Sequence, residues 1–400
     1  MKKSILALAV CGLLQTAGAS ADESNSFFDA ISDGDSNLML RYRYEFVDQD
    51  GFAKNANAST LLTRLNYKTK AYNGFTFFLE ADNVTEAFGD NYNSGAGNSP
   101  GNTHYPVVAD PQGTEINQAW FNYAFSEGND VKVGRQRINF DNQRFIGGVG
   151  WRQNEQTYDA ISGSFDVSGS KLFVSYIDKV NRIFGDDVAA GNHDNSTVLA
   201  HWSNKFDDIG NLSVYYYDIN NKDAAAFSTT TFGAKFAGKV NQFNYGVEYA
   251  TQSDAHNNSV DYSANYYRLD GGFKLEPATI YAGYEVLGGD RNNAGSAFRT
   301  PLATLHAFNG WADKFLGTPA DGLEDFFIGA KGDINGFKWN ALYHTFSAED
   351  SSRDLGTEFD FTIAHKVNKH VSLLLKGAFY NAETHATDTS KVWFMVTSKF

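Results

Sequence analysis

Apolar and polar positions alternate along most of the chain with a period of two. In 37–46, NLMLRYRYEF, Leu38, Leu40, Tyr42, Tyr44 and Phe46 share one face, and Met39, Arg41, Arg43 and Glu45 the other. Such alternation predicts a strand with one greasy and one wet side. The pattern recurs at Thr63, Leu65 and Tyr67 against Arg64, Asn66 and Lys68, at Phe75, Phe77 and Leu79 against Glu80 and Asp82, and at Ala119, Phe121 and Tyr123 against Gln118 and Asn122. Further along it returns around 243–252, 267–274, 280–286, 325–331, 337–344, 358–363 and 371–379. Weaker candidates lie at 130–138, 156–165, 170–179, 196–203, 210–218 and 230–237. A soluble sandwich also alternates, but with shorter strands and an aliphatic inner face. Here the greasy face is aromatic at its ends and runs for about ten residues, enough to cross a bilayer at a barrel's tilt.

The expected fold is therefore all-β, a transmembrane antiparallel barrel of about 18 strands, an even number as closed barrels of this kind require. The connections support it independently. Short turns are expected at 72–74, 126–129, 167–169, 275–277, 333–336 and 367–370. Longer polar segments alternate with them at 47–58, 85–114, 139–155, 180–195, 253–263, 288–323 and 381–389. That is the rhythm of periplasmic turns and extracellular loops. In 130–138 the alternation slips, with Val131 and Val133 in phase with Arg135 and Arg137. A bulge at Gly134 would return the Arg pair to the inside.

Composition agrees. The chain has 400 residues, 15% of them aromatic, with 37 Gly and 6 Pro. An acidic disordered chain would lack the aromatics. The net charge of −14 leaves no basic stripe to neutralise phosphates, which argues against nucleic acid. A single Cys excludes a disulfide scaffold and a thiolate metal site. No metal ligand spacing occurs among the nine His, and no cofactor motif is found. Residues 1–21 read as a secretory signal: Lys2 and Lys3, an apolar stretch, then Ala19-Ser20-Ala21 as the cleavage site. Residues 22–400 are then the barrel. Its last strand, SKVWFMVTSKF, ends on Phe400 and resembles the C-terminal signal that bacterial barrel-assembly machinery reads, so the expected address is the outer membrane of a Gram-negative bacterium, with lipid around the wall.

A lumen can hold a catalyst, but the one G-x-S-x-G match, Gly97 to Gly101, is a poor elbow. Pro100 follows Ser99 directly, removing an N–H that an oxyanion hole would use. The inward cations carry more chemistry. Arg41 and Arg43 lie about 7 Å apart on one strand, with Arg64 and Lys68 on the next, about 4.8 Å away. Arg135, Arg137, Arg144 and Arg152 add to them. Such a ladder either draws anions and bonds saccharide hydroxyls and carboxylates, or it is neutralised by Glu45, Glu80, Asp82 and Glu115 and only stiffens the wall.

Two segments carry a resemblance. Residues 133–160, VGRQRINFDNQRFIGGVGWRQNEQTYDA, and 298–332, FRTPLATLHAFNGWADKFLGTPADGLEDFFIGAKG, are similar to the alginate-export family of outer-membrane β-barrels. The resemblance implies an eighteen-stranded channel whose Arg-lined constriction passes an anionic polysaccharide or its oligomers, with Arg135, Arg137, Arg144 and Arg152 as lumen contacts. The alternative is a general diffusion porin without a saccharide site.

Overall fold

The computed structural model describes residues 26–400; the expected signal segment and its cleavage site lie outside the described residues. A short helix α1 (Phe27–Ser32) precedes eighteen strands. These are β1 (Asp35–Gln49), β2 (Ala56–Lys68), β3 (Phe75–Asn91), β4 (Gly113–Ser126), β5 (Asn129–Gln136) and β6 (Thr157–Val167), then β7 (Ser170–Asn181), β8 (Asn192–Phe206), β9 (Gly210–Ile219), β10 (Thr229–Val240), β11 (Phe243–Asp254) and β12 (Ser263–Lys274), and finally β13 (Ala278–Leu287), β14 (Leu323–Ile334), β15 (Phe337–Ser347), β16 (Asp354–Lys366), β17 (Val371–Ala382) and β18 (Thr389–Lys399). Each pairs antiparallel with its sequence neighbours, and β1 also pairs with β18 from Met39 opposite Lys399 to Gln49 opposite Thr389. The sheet is thereby closed and has no edge, which removes the unpaired backbone groups that lipid would not tolerate. All the weaker strand candidates form strands.

Alternation sorts the side chains as expected. Phe121, Leu65, Phe232, Leu269, Ile328 and Phe359 stand exposed on the outer wall, where lipid covers them. The tight turns follow local chemistry. Asn335 and Gly336 both have positive φ, 53° and 82°, the pair of conformations a two-residue hairpin needs.

The Gly134 bulge is absent. Val133, Gly134 and Arg135 sit opposite Phe121, Trp120 and Ala119 on one side and Ile161, Ala160 and Asp159 on the other, with no extra residue. Gly134 instead absorbs a close approach: at φ 124° a Cβ would stand 2.2 Å from the Ala119 carbonyl oxygen. Arg135 therefore keeps the phase of Val133 and forms a fork with Asp159, at 2.8 and 3.2 Å. Arg137, beyond the strand's end, turns inward on its own.

The bore is not empty. Phe145 and Ile146 from the 137–156 loop and Phe298, Leu302 and Phe315 from the 288–322 loop pack with Tyr158, Tyr215, Tyr217, Tyr266 and Tyr380 of the wall in a buried apolar cluster. Two of the long loops thus fold into the barrel and give it a core.

Candidate functional site: the constriction and the cavity above it

The loop between β5 and β6 is tied to the wall by polar side chains. The Gln153 amide donates to Thr60 Oγ1 at 2.9 Å, and its Oε1 accepts from Arg41 Nε at 2.8 Å. Its backbone N–H donates to Asp110 at 2.8 Å, bringing in the 92–112 loop. The loop between β13 and β14 crosses from the other side. The Asn309 amide donates to Glu285 at 2.7 Å and Asp325 at 3.1 Å and accepts from Arg144 at 2.9 Å. The Ala312 and Trp311 N–H groups donate to Glu358 at 2.7 Å and Asp360 at 3.2 Å on β16. The two loops meet where Gly147 N–H donates to the Leu302 carbonyl at 2.8 Å and Thr304 N–H to the Gln143 carbonyl at 3.0 Å.

Arg41, Arg43, Arg64, Arg137, Arg144 and Arg152 of the expected ladder are brought together at this constriction, and all but Arg41 meet a carboxylate. Arg41 donates to Gln153 and to the carbonyls of Gly150 and Arg152. Arg43 pairs with Asp110 at 3.0 Å, donates to the Trp151 carbonyl, and lies 4.5 Å from the Trp151 ring centroid. Arg64 holds both oxygens of Asp82, at 2.7 and 2.6 Å, and Glu155 at 2.6 Å. Arg137 reaches Glu80 and Glu155. Arg144 pairs with Glu285 at 2.7 Å, and Arg152 with Glu45 at 3.0 Å and Asp313 at 3.2 Å. Arg41, Arg43, Arg64, Arg144 and Arg152 are all buried. Their forks are occupied in holding the loops, since a buried charge without a partner is costly. Lys68 lies apart, exposed at the opposite end of β2.

In the loops the same logic governs protonation. Burial pushes Asp110 and Asp313 up, but neighbouring cations overcome it. Arg43 and Arg152 hold Asp110 below the usual carboxylate range, and Lys391 and Arg152, helped by a hydrogen bond from His306, hold Asp313 well below it. Burial drives His306 down to about 3, so its ring is neutral. Its Nδ1–H donates to Asp313 at 2.7 Å and its Nε2 accepts from Lys376 at 2.7 Å. The Lys376 ammonium is boxed by Trp311 and Trp151, at 3.8 and 4.2 Å from the ring centroids, and so pins both loops to β17.

Beside this network lies a cavity of about 390 Å³. Its cations are Arg152, Arg182, Lys314 and Lys391, against one carboxylate, Asp313; Phe52, Phe184 and Leu316 supply apolar wall. Asp313 is already shared by Arg152, His306 and Lys391. Arg182 and Lys314 have no carboxylate within 4.0 Å among the described residues. Arg182 donates weakly to the Ala190 carbonyl at 3.5 Å and lies over Phe184 and Phe227. Burial pulls Arg182 below its usual value, and burial with the nearby Lys391 ammonium brings Lys314 down to about 8. Both are charges set where an arriving anion would relieve them. Sequence reasoning missed these two. Lys314 sits inside the second family-like segment, but nothing in a loop's pattern marks which cation lacks a partner.

Among the described residues no group of three or more His, Cys, Asp or Glu is placed to hold a metal. Ser99 lies in the 92–112 loop, with its carbonyl accepting from Gln112 N–H.

The family described as Alginate export matches residues 35–300, which takes in the first family-like segment and stops at the start of the second. No curated protein matches. Solved structures share the fold at low identity. OccAB1 of Acinetobacter baumannii is 14% identical with a TM-score of 0.70, over 95% of this chain and 100% of that one. OccK3 (OpdO) of Pseudomonas aeruginosa is 12% identical with a TM-score of 0.69, over 94% and 99%. OpdK of the same organism, solved with vanillate, is 14% identical with a TM-score of 0.67, over 92% and 99%.

Proposed function

Because the chain belongs to the alginate-export family, and is an outer-membrane channel of a Gram-negative bacterium, we propose that it passes anionic saccharides such as alginate or its oligomers. The observation that carries this reading is the surplus of positive charge in the cavity, where Arg182 and Lys314 stand without carboxylate partners. A guanidinium offers a carboxylate two parallel N–H donors, and an ammonium adds a point charge. Phe184, Phe52 and Leu316 give the solute's less polar faces a surface, the usual make-up of a site with few convergent polar groups. The neighbour solved with vanillate, itself a carboxylate, supports an anionic solute. Arg41, Arg43, Arg64, Arg137, Arg144 and Arg152 act on it by shaping the constriction; Lys68 meets it only toward the periplasmic mouth, and Arg135, in the phase of the outward-facing Val133, does not line the bore. Phe400 serves as the signal to the assembly machinery.

Planar-bilayer currents with and without oligouronate test this. The wild-type channel is expected to be blocked transiently by oligouronate. The Arg182→Ala/Lys314→Gln double variant should need at least about tenfold more, since a hydrogen bond to a charged group contributes roughly 1.5–3 kcal/mol. Currents indifferent to oligouronate in both proteins would leave a general diffusion porin.

A further inference from the structure

The opposite end of the bore holds a different arrangement of charge. At their periplasmic ends, several wall strands present an inward lysine. Lys331 on β14, Lys338 on β15, Lys366 on β16, Lys399 on β18, Lys68 on β2 and Lys132 on β5 form one arc. Lys171 on β7 and Lys239 on β10 continue it across the bore. Their direction follows from register. Lys331 sits opposite Asn340 and Thr279, Lys338 opposite Ala364, and Lys399 opposite Met39, all in the phase of the lumen residues His344, Asp360 and Trp393. Their neighbours Ile328, Phe337, Ile363 and Phe394 face lipid.

Unlike the constriction Arg, these lysines are not answered. None of the eight has an ion pair within 4.0 Å among the described residues. Lys132 and Lys331 rest over Trp120 and Tyr281, at 4.5 and 5.1 Å, and all but Lys132 are exposed to the bore. The inward carboxylates of this rim are few and engaged. Asp35 pairs with Lys70 at 2.9 Å, and Asp333 and Asp166 accept turn N–H groups from Gly336 at 2.8 Å and Gly169 at 3.0 Å. Asp130 faces Lys132 along the same strand, and Asp333 and Asp166 stand opposite Lys338 and Lys171 in register, beyond 4.0 Å. Lys331 and Lys338, and Lys338 and Lys366, are diagonal neighbours on adjacent strands, about 7–8 Å apart. A ring of one sign set in low-dielectric walls focuses its field into the opening.

We propose that this ring is a second anion site, which collects multiply charged carboxylates at the periplasmic mouth by engaging several lysines at once. It rests on the reading of an anionic solute. It adds a polarity to the channel: polyanions arriving from the periplasm are concentrated ahead of the constriction.

Potassium citrate, a trivalent carboxylate with no sugar ring, is the probe. Bilayer currents are recorded at low salt, where screening is weak, with citrate in either chamber and insertion sidedness read from proteolysis of the long loops. Wild-type channels should be blocked from the periplasmic side at about tenfold lower citrate than from the extracellular side. In the variant Lys331→Gln/Lys338→Gln/Lys366→Gln/Lys399→Gln, whose residues are exposed and unpaired, that advantage should vanish while strand content by circular dichroism is unchanged. Equal periplasmic block in the two proteins overturns the proposal. Indifference to oligouronate with the citrate asymmetry intact would sink the saccharide reading and leave the ring standing.

Discussion

Arg43 and Lys314 show what one position can decide. The Arg43 guanidinium is 1% exposed, and Asp110, the Trp151 carbonyl and the Trp151 ring surround it. Lys314 lacks such company: its nearest influences are Lys391, which opposes its charge, and Asp313 and Glu358, which favour it less than burial and Lys391 disfavour it. A lysine lowered to about 8 is charged near neutral pH and loses its proton as the pH rises through that value. Oligouronate block should therefore weaken between about pH 7 and about pH 9, and Lys314→Gln should remove that step. A wild-type titration without a step in this range would show that Lys314 does not face the solute. The phase of Arg41, Arg43 and Arg64 was readable from alternation. The partners of the Arg residues were not, because Asp110, Glu155 and Asp313 come from loops distant in sequence.

At the scale of elements, the strands were readable and the loops only half so. Alternation, turn residues and length located every strand, since local geometry fixes each of them. It misjudged β5, where the slip was assigned to a bulge at Gly134; the register runs straight through, and Arg135 pairs with Asp159 instead. It also gave no sign that 137–156 and 288–322 turn inward, because Phe145, Ile146, Phe298 and Leu302 follow no period and gain burial only from each other and the wall. Asn309 holds the second loop through Arg144, Glu285 and Asp325. Asn309→Ala leaves three charged groups short of a buried hydrogen bond, each omission costing roughly 1–3 kcal/mol. The loop should loosen, with single-channel conductance larger and noisier than wild type. Currents indistinguishable from wild type would mean that Trp311, boxed with Lys376, anchors the loop alone.

For the whole molecule, closure is the decisive event. β18 must find β1 across the full chain, and its last residue helps: Phe400 exchanges backbone hydrogen bonds with Leu38 at 2.9 and 3.1 Å and stacks on His370 at 5.4 Å between centroids. Phe400→Ala keeps the backbone pair and removes the ring. If the ring is read during assembly, folded protein in the outer membrane should fall several-fold while refolding from urea into detergent is unaffected; equal loss in both would make the ring a packing residue.

The sequence by itself determined the barrel: strand number, inside and outside, and the long–short rhythm of connections all follow from period two and turn chemistry, which act over a few residues. Only the tertiary structure decided which charges are free. Whether a cation is neutralised depends on a carboxylate brought from elsewhere in the chain, so the Arg ladder became scaffold while Arg182 and Lys314 kept the open charge that an anion can meet.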